Sequence, residues 1–296
     1  MRFNFLPSLY MVFLLLIFSA CGQSSDKDYL ITVKTDYGDM VAILYDETPL
    51  HKENFIKLAK DGTYSGSLFH RVIPGFMIQG GDPTSKNAPL GTPLGQGSPG
   101  YNIPAEFNPK FFHERGALSA ARLSDAQNPK KESNGSQFYI VQGTVWDDKG
   151  LAQFRVDQNK LMIGLRKMFE QPQFKPMLDS LNQLYVAGDM NAYVAALSAT
   201  APRVERFTGE KIVKSIPPSR EKVYKTVGGA PHLDGEYTVF GKVIKGLEVI
   251  DKIAAAPRDG MDRPNQNIKM EIFVQEVSRK KITADYGYQY PDPVKK

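Results

Sequence analysis

The sequence predicts an antiparallel β sandwich or barrel interrupted by a block of helices, and three observations carry that expectation. Short runs with alternating apolar positions stand near both ends: Ile31 and Val33, then Val41, Ile43 and Tyr45, and later Ile268, Met270, Ile272 and Val274. A period of two marks a half-buried strand. Asp36-Tyr37-Gly38-Asp39, Pro74-Gly75 and Asn134-Gly135 punctuate such runs as turns. Between residues 147 and 225 the period changes: Leu161, Met162, Leu165, Met168 and Phe169 recur at helical spacing, as do Leu178, Leu181, Leu184 and Tyr185. A chain of 296 residues, 42% apolar and 23% charged, can build a sizeable core as one large domain or two smaller ones. The net charge of +5 comes without a long basic run, so no nucleic-acid partner is expected.

Taken in order, residues 1–20 carry Arg2, an apolar run from Met11 to Phe18 and the small pair Ser19-Ala20. That is the layout of a secretory signal, and the run is short for a membrane-spanning helix. Cys21, the single cysteine, stands where cleavage would leave it first. A lone cysteine excludes an internal disulfide framework and a cysteine-rich zinc site. The histidines His51, His70, His113 and His232 are scattered, and none stands at ligand spacing from a carboxylate, so neither metal nor cofactor is expected. Residues 21–28 read as a polar tether, and the folded body is expected to start near Tyr29.

Residues 29–46 read as a hairpin. A helix follows with Thr48 as N-cap, Pro49 in its first position and Gly62 closing it. The stretch FHRVIPGFMIQGGD, residues 69–82, reads as strand, turn, strand. Alternation puts Arg71 on one face with Phe69 and Ile73, and puts Met77 with Gln79 beyond the turn. Periodicity alone does not say whether these side chains converge. From Pro83 to Pro109 the chain is rich in Gly and Pro and reads as a long loop. Short strands are expected within 115–122 and 137–142. The helical segment 147–225 holds 13 Lys+Arg against 9 Asp+Glu, a surplus of +4 interspersed as on a solvated face. GEYTVFGKVI then reads as a strand, GLEVIDKIAAA as a helix and IKMEIFVQEVS as a strand, with 280–296 left as a C-terminal tail.

Five blocks in this order, ENFIKLA, FHRVIPGFMIQGGD, GALSAAR, NGSQFYI and HLDGEYTVFGKVIKGLEVIDKI, resemble the cyclophilin family of peptidyl-prolyl isomerases. The resemblance covers residues 29–146 and 226–279. It implies a mainly β fold, a closed eight-stranded antiparallel barrel capped by two helices, with the substrate groove on its outer face. Segment 147–225 matches nothing in the family core and reads as a helical insertion in a surface loop. The resemblance also implies roles. Arg71 aligns with the catalytic arginine and Gln79 with a polar anchor beside it. Phe76, Met77 and Leu233 fall in the proline pocket, Gln137 is a second groove glutamine, and the backbone at Ala121 and Arg122 would bind the peptide as an extended strand. Three groove positions depart from well-known members. Tyr139 replaces a frequent phenylalanine, His232 stands where eukaryotic members carry a ciclosporin-contacting tryptophan, and Tyr237 where many carry histidine. Weak ciclosporin sensitivity is expected from His232. The N-terminus resembles a bacterial lipoprotein signal in which Cys21 is lipidated, although Phe18 replaces the usual leucine. Gly22, in place of an aspartate, points to the outer membrane of the cell envelope.

These residue types suit the reaction on physical grounds. Rotation about an X-Pro bond breaks amide resonance and crosses a barrier of ~18–20 kcal/mol. Lowering it needs an apolar grip on the prolyl ring and a donor for the prolyl nitrogen as its lone pair localises. A permanently charged, planar guanidinium suits that role, because its interaction strengthens in the twisted state. The expectation is a monomeric, lipid-anchored isomerase acting on proline-containing segments of exported proteins. The alternative is a binding module, weakly catalytic or not, recruiting a partner through the groove or the insertion.

Overall fold

The computed structural model describes residues 26–291, so the signal pattern and Cys21 lie outside the described residues. The chain begins with β1 (Lys27–Thr35), β2 (Gly38–Leu44) and helix α1 (Pro49–Lys60). Three short strands follow: β3 (Ser67–Leu68), β4 (Arg71–Ile73) and β5 (Met77–Gly80). After the long loop come β6 (Asn102–Ile103), β7 (Ala117–Ala120), β8 (Ser133–Asn134) and β9 (Phe138–Val141). Helices α2 (Asp148–Ala152), α3 (Gln158–Phe169), α4 (Lys175–Val186), α5 (Met190–Ala199), α6 (Ala201–Thr208) and α7 (Pro218–Thr226) fill the helical segment. The chain continues through β10 (Val239–Lys245), α8 (Leu247–Ala254), β11 (Lys269–Ser278) and α9 (Arg279–Tyr286).

One nine-stranded antiparallel sheet runs in the order β3-β11-β1-β2-β10-β7-β9-β5-β4, and β6 pairs with β8 in a small second sheet. The main sheet curls strongly but stays open, so the expected closed eight-stranded barrel is corrected. Its edge strands β3 and β4 do not pair with each other because they are consecutive in the chain, separated only by Phe69 and His70. Phe69 N donates to Ile268 O at 2.9 Å on the β11 side, and His70 N donates to Gln79 O at 3.0 Å on the β5 side. The covalent chain thus crosses the seam where a ladder was expected. The break also spoils the alternation: Phe69 joins the core with Val72 and Ile78, away from Arg71.

The core lies inside the curl, where Phe55 meets Phe138 edge-on at 5.3 Å and Phe240 at 5.6 Å. Helix α1 contributes Phe55 and Ile56 to this core, and α8 contributes Val249, Ile250 and Ile253, as expected of two capping helices. The N-terminus of α1 is satisfied differently from the sequence expectation. Thr48 makes no side-chain cap; its hydroxyl donates to Tyr45 O, while Leu50 N and His51 N donate to the Glu106 carboxylate at 3.1 and 3.0 Å. A distant carboxylate does the work of the local cap.

The insertion has its own core, built from Leu161, Leu165, Met168, Leu181, Val204 and Ile212. Gly164 in the middle of α3 is explained there. A Cβ at this position would clash with Val204, so the glycine sets how closely α3 and α6 approach. The two chain ends extend the body beyond its expected limits. β1 starts at Lys27, and Lys52 Nζ donates to the buried Asp28 at 2.6 Å. Residues counted as tail instead form α9, whose Ile282 packs with Leu30, Val41 and Ile43 on the outer face of the sheet, beside Tyr286, Tyr288 and Tyr290.

Candidate active site

Register brings the key residues together. Arg71 lies directly opposite Gln79 across β4 and β5, and Gln79 lies opposite Tyr139 across β5 and β9. Ile73, Met77 and Val141 form the neighbouring row two residues along, so one sheet face carries Arg71, Met77, Gln79 and Tyr139. Phe76 escapes strand alternation because it sits in the turn between β4 and β5, and it joins the same face. A cavity of about 190 Å³ opens there, lined by Arg71, Phe76, Met77, Gln79, Ala121, Arg122, Tyr139, Leu233 and Tyr237. All nine stand among the eleven positions to which the sequence reading gave groove roles. Of the other two, Gln137 lies immediately behind Gln79, and His232 stacks at a tilt on Phe76 with centroids 5.2 Å apart.

The polar side of the cavity is a relay of hydrogen bonds. Arg71 Nη1 lies 3.5 Å from Gln79 Oε1, and its Nε lies 3.7 Å from Asp262 Oδ2. Both contacts are long, so the guanidinium is loosely held at the mouth. Gln79 Nε2 donates to Gln137 Oε1 at 3.0 Å, and Gln137 Nε2 donates to the carbonyls of Gly95 and Gly97 at 3.0 and 2.7 Å. Those carbonyls belong to the Gly/Pro-rich loop, which Asp82 pins by accepting from Gly95 N at 2.6 Å and Gly97 N at 3.2 Å. A Cβ at residue 97 would overlap the Asp82 carboxylate, so glycine is required for this close approach. On the other side the Arg122 guanidinium stacks 4.4 Å above the Tyr237 ring.

Beneath the apolar floor lies a network that the sequence did not disclose. The Tyr139 hydroxyl is within 3.0 Å of His113 Nε2, and His113 Nδ1 is within 3.0 Å of Asp234 Oδ1. Burial lowers the affinity of His113 for a second proton, against the pull of Asp234. The ring is therefore neutral: Nδ1–H donates to the carboxylate, and Nε2 accepts from Tyr139. Burial holds the Tyr139 phenol well above its ordinary range, so it keeps the proton it donates. Burial would raise the Asp234 carboxyl, but hydrogen bonds from His113 and Tyr224 outweigh it and leave the group below its ordinary value. Asp234 Oδ2 accepts from Arg220 Nη1 at 3.0 Å and Tyr224 Oη at 2.7 Å, both on α7 of the insertion. Sequence spacing put no histidine at metal-ligand distance from a carboxylate, and the fold pairs His113 with Asp234 and His51 with Glu106 across long separations. Among the described residues, no group of three or more His, Cys, Asp or Glu stands as a metal cage.

The geometry is that of a shallow apolar pocket with a cation at its rim. The family model for cyclophilin type peptidyl-prolyl cis-trans isomerases matches residues 30–157 and 223–274. The chain belongs to that family, and it is an isomerase of the cyclophilin type. A Staphylococcus haemolyticus protein provisionally named peptidyl-prolyl cis-trans isomerase is 30% identical over 250 residues, covering 84% of this chain and 92% of that one. A Streptococcus pyogenes protein provisionally named bifunctional phosphatase/peptidyl-prolyl cis-trans isomerase is 31% identical over 247 residues. The match covers 82% of this chain but only 38% of that longer relative. Among solved structures, a Cryptosporidium parvum cyclophilin type isomerase aligns over 84% of this chain and 98% of its own at 21% identity, with a TM-score of 0.47.

Proposed function

We propose that the cavity beside Arg71 binds the prolyl ring of an X-Pro segment and catalyses its cis/trans exchange, and that the substrates are exported proteins. One observation carries this reading: a cation stands at the rim of an apolar pocket, opposite Gln79 in strand register. Phe76, Met77 and Leu233 hold the ring, excluding water from the bond that twists. Arg71 supplies an N–H to the prolyl nitrogen, whose lone pair accepts only once conjugation is broken. The interaction therefore favours the twisted state over both planar ones. The Gln79–Gln137 relay fixes the donor's neighbours, and Tyr139 is held by His113 so that its ring, not its hydroxyl, faces the substrate. The lipidated Cys21 would keep the enzyme at the cell envelope, where slow X-Pro steps of tens of seconds limit folding.

The test compares cis/trans exchange on a short X-Pro peptide for the full chain and its Arg71→Ala variant, with circular dichroism to show that both are folded. A loss on the order of a hundredfold is expected in the variant. A parent that accelerates nothing defeats the proposal, and an unchanged variant removes Arg71 from it.

A further inference from the structure

Beside the proline cavity lies a much larger cleft, of about 1060 Å³ against 190 Å³, between the insertion and the curled sheet. We infer that this cleft is a second subsite of the same groove and takes a bulky apolar side chain of the substrate polypeptide, flanking its proline. The inference rests on the isomerase reading above and adds to it a wall that the insertion provides.

Continuity is the first argument. Arg122, Leu233 and Tyr237 line both cavities, so no rim separates them. His232 of the large cleft bridges the two sides. The His232 ring lies 5.2 Å from Phe76 on the proline side and 5.9 Å from Phe154 of the insertion on the other. An extended chain advances roughly 3.3 Å per residue, so a polypeptide with its proline in the small pocket reaches the cleft within a few residues.

The lining decides what kind of side chain belongs there. Its charges largely neutralise one another: Arg122 pairs with Asp125 at 2.6 Å, Lys214 with Asp157 at 3.3 Å, Arg220 with Asp234 at 3.0 Å, and Lys131 with Glu236. A charged ligand would have to displace these pairs. What remains on offer is apolar and aromatic, with Phe107 and Phe111 on the sheet side and Phe154 and Val156 on the insertion side. Phe107 keeps 40% of its surface exposed, which a bound apolar side chain would cover.

The cleft is also a fixed shape. Arg220 and Tyr224 anchor α7 to Asp234, and Trp146 Nε1 donates to Gly229 O at 3.0 Å where the chain enters the insertion. These joints hold the insertion against the floor of the proline pocket, so the second wall is present before substrate arrives.

The experiment measures, by calorimetric titration of the full chain, dissociation constants for two peptides of about a dozen residues. Each has one central Ala-Pro bond; one carries Phe on both flanks and the other Ser at the same positions. The Phe peptide is expected to bind about tenfold more tightly. In Phe154→Ala, and separately in Phe107→Ala on the opposite wall, that ratio is expected to fall towards one. Equal affinities in the parent overturn the inference, as does a ratio that survives both substitutions. Exchange catalysis measured on the same samples separates the two readings. A tenfold ratio without any catalysis sinks the isomerase proposal and leaves the subsite standing.

Discussion

The curled sheet and the insertion build the two halves of one groove by different means. The small pocket is set by backbone register: Arg71, Gln79 and Tyr139 stand in one row because their strands pair there. The large cleft is set by side-chain joints, with Asp234 receiving His113 from the sheet side and Arg220 and Tyr224 from the insertion. Register tolerates change at the surface because main-chain bonds do not depend on side-chain identity. A joint of buried charges depends on every member. In the proposed function, chemistry rests on the sturdier device, and substrate selection on the more specific one.

The sharpest way to break this contrast is Asp234→Ala. It leaves Arg220 facing a neutral site and His113 without its acceptor, and is expected to cost about 3–5 kcal/mol. Hydrogen exchange is expected to rise in α7 and around Tyr139 together; a rise in only one would show that the two halves are not joined through Asp234. Next in size is Leu165→Ala, in the separate core of the insertion, with an expected loss of about 3 kcal/mol. Denaturation read from α3 to α6 is expected to move while exchange on a short X-Pro peptide stays at parent level. A matching drop in short-peptide catalysis would mean that the insertion supports the pocket as a whole.

Acid offers a gentler separation of the same two regions. His70 is buried, neither ring nitrogen has a well-formed hydrogen bond among the described residues, and burial pushes its pKa down to about 4. An unfolded histidine titrates near 6.5, so the unfolded chain takes up the proton first. The stability that this neutral ring contributes is complete above pH ~6.5 and is lost as the pH falls towards 4, up to about 3 kcal/mol. Burial also lowers His51 and His113, which act in the same direction, whereas residues 147–225 contain no histidine. Amide exchange is expected to accelerate in the curled sheet before the insertion as the pH drops from 7 to 4.5, and His70→Asn is expected to flatten the trend. If the insertion opens first, another set of groups controls the acid response.

Much of the frame was legible in the residues. The β1–β2 hairpin, α1, and the β10, α8, β11 sequence follow apolar periods that reach across whole elements, and the five-block resemblance named the family. Met77 and Gln79 share a face by simple alternation. Phe76 joins them only because it lies in a turn, which alternation does not govern. What escaped was non-local. Glu106 caps α1 from 55 positions away, and His113 meets Asp234 across 121. The open seam at Phe69 and His70 is a change of hydrogen-bond direction within two residues, invisible to a period of two. Helix α2 runs only five residues, too few turns for a pattern to stand out.

One further consequence follows from the pairing of β1 with β11, whose register runs from Lys27↔Ser278 to Lys34↔Glu271. The first strand of the described fold pairs at once with β2 on one edge, but finds the partner for its other edge only in the last strand. A polypeptide emerging from the ribosome or a translocation channel in chain order must keep that strand edge waiting while more than two hundred residues, the insertion included, pass through. Completion of the sheet is therefore a late event in the life of each molecule. Until it happens, the isomerase carries an open strand edge of its own.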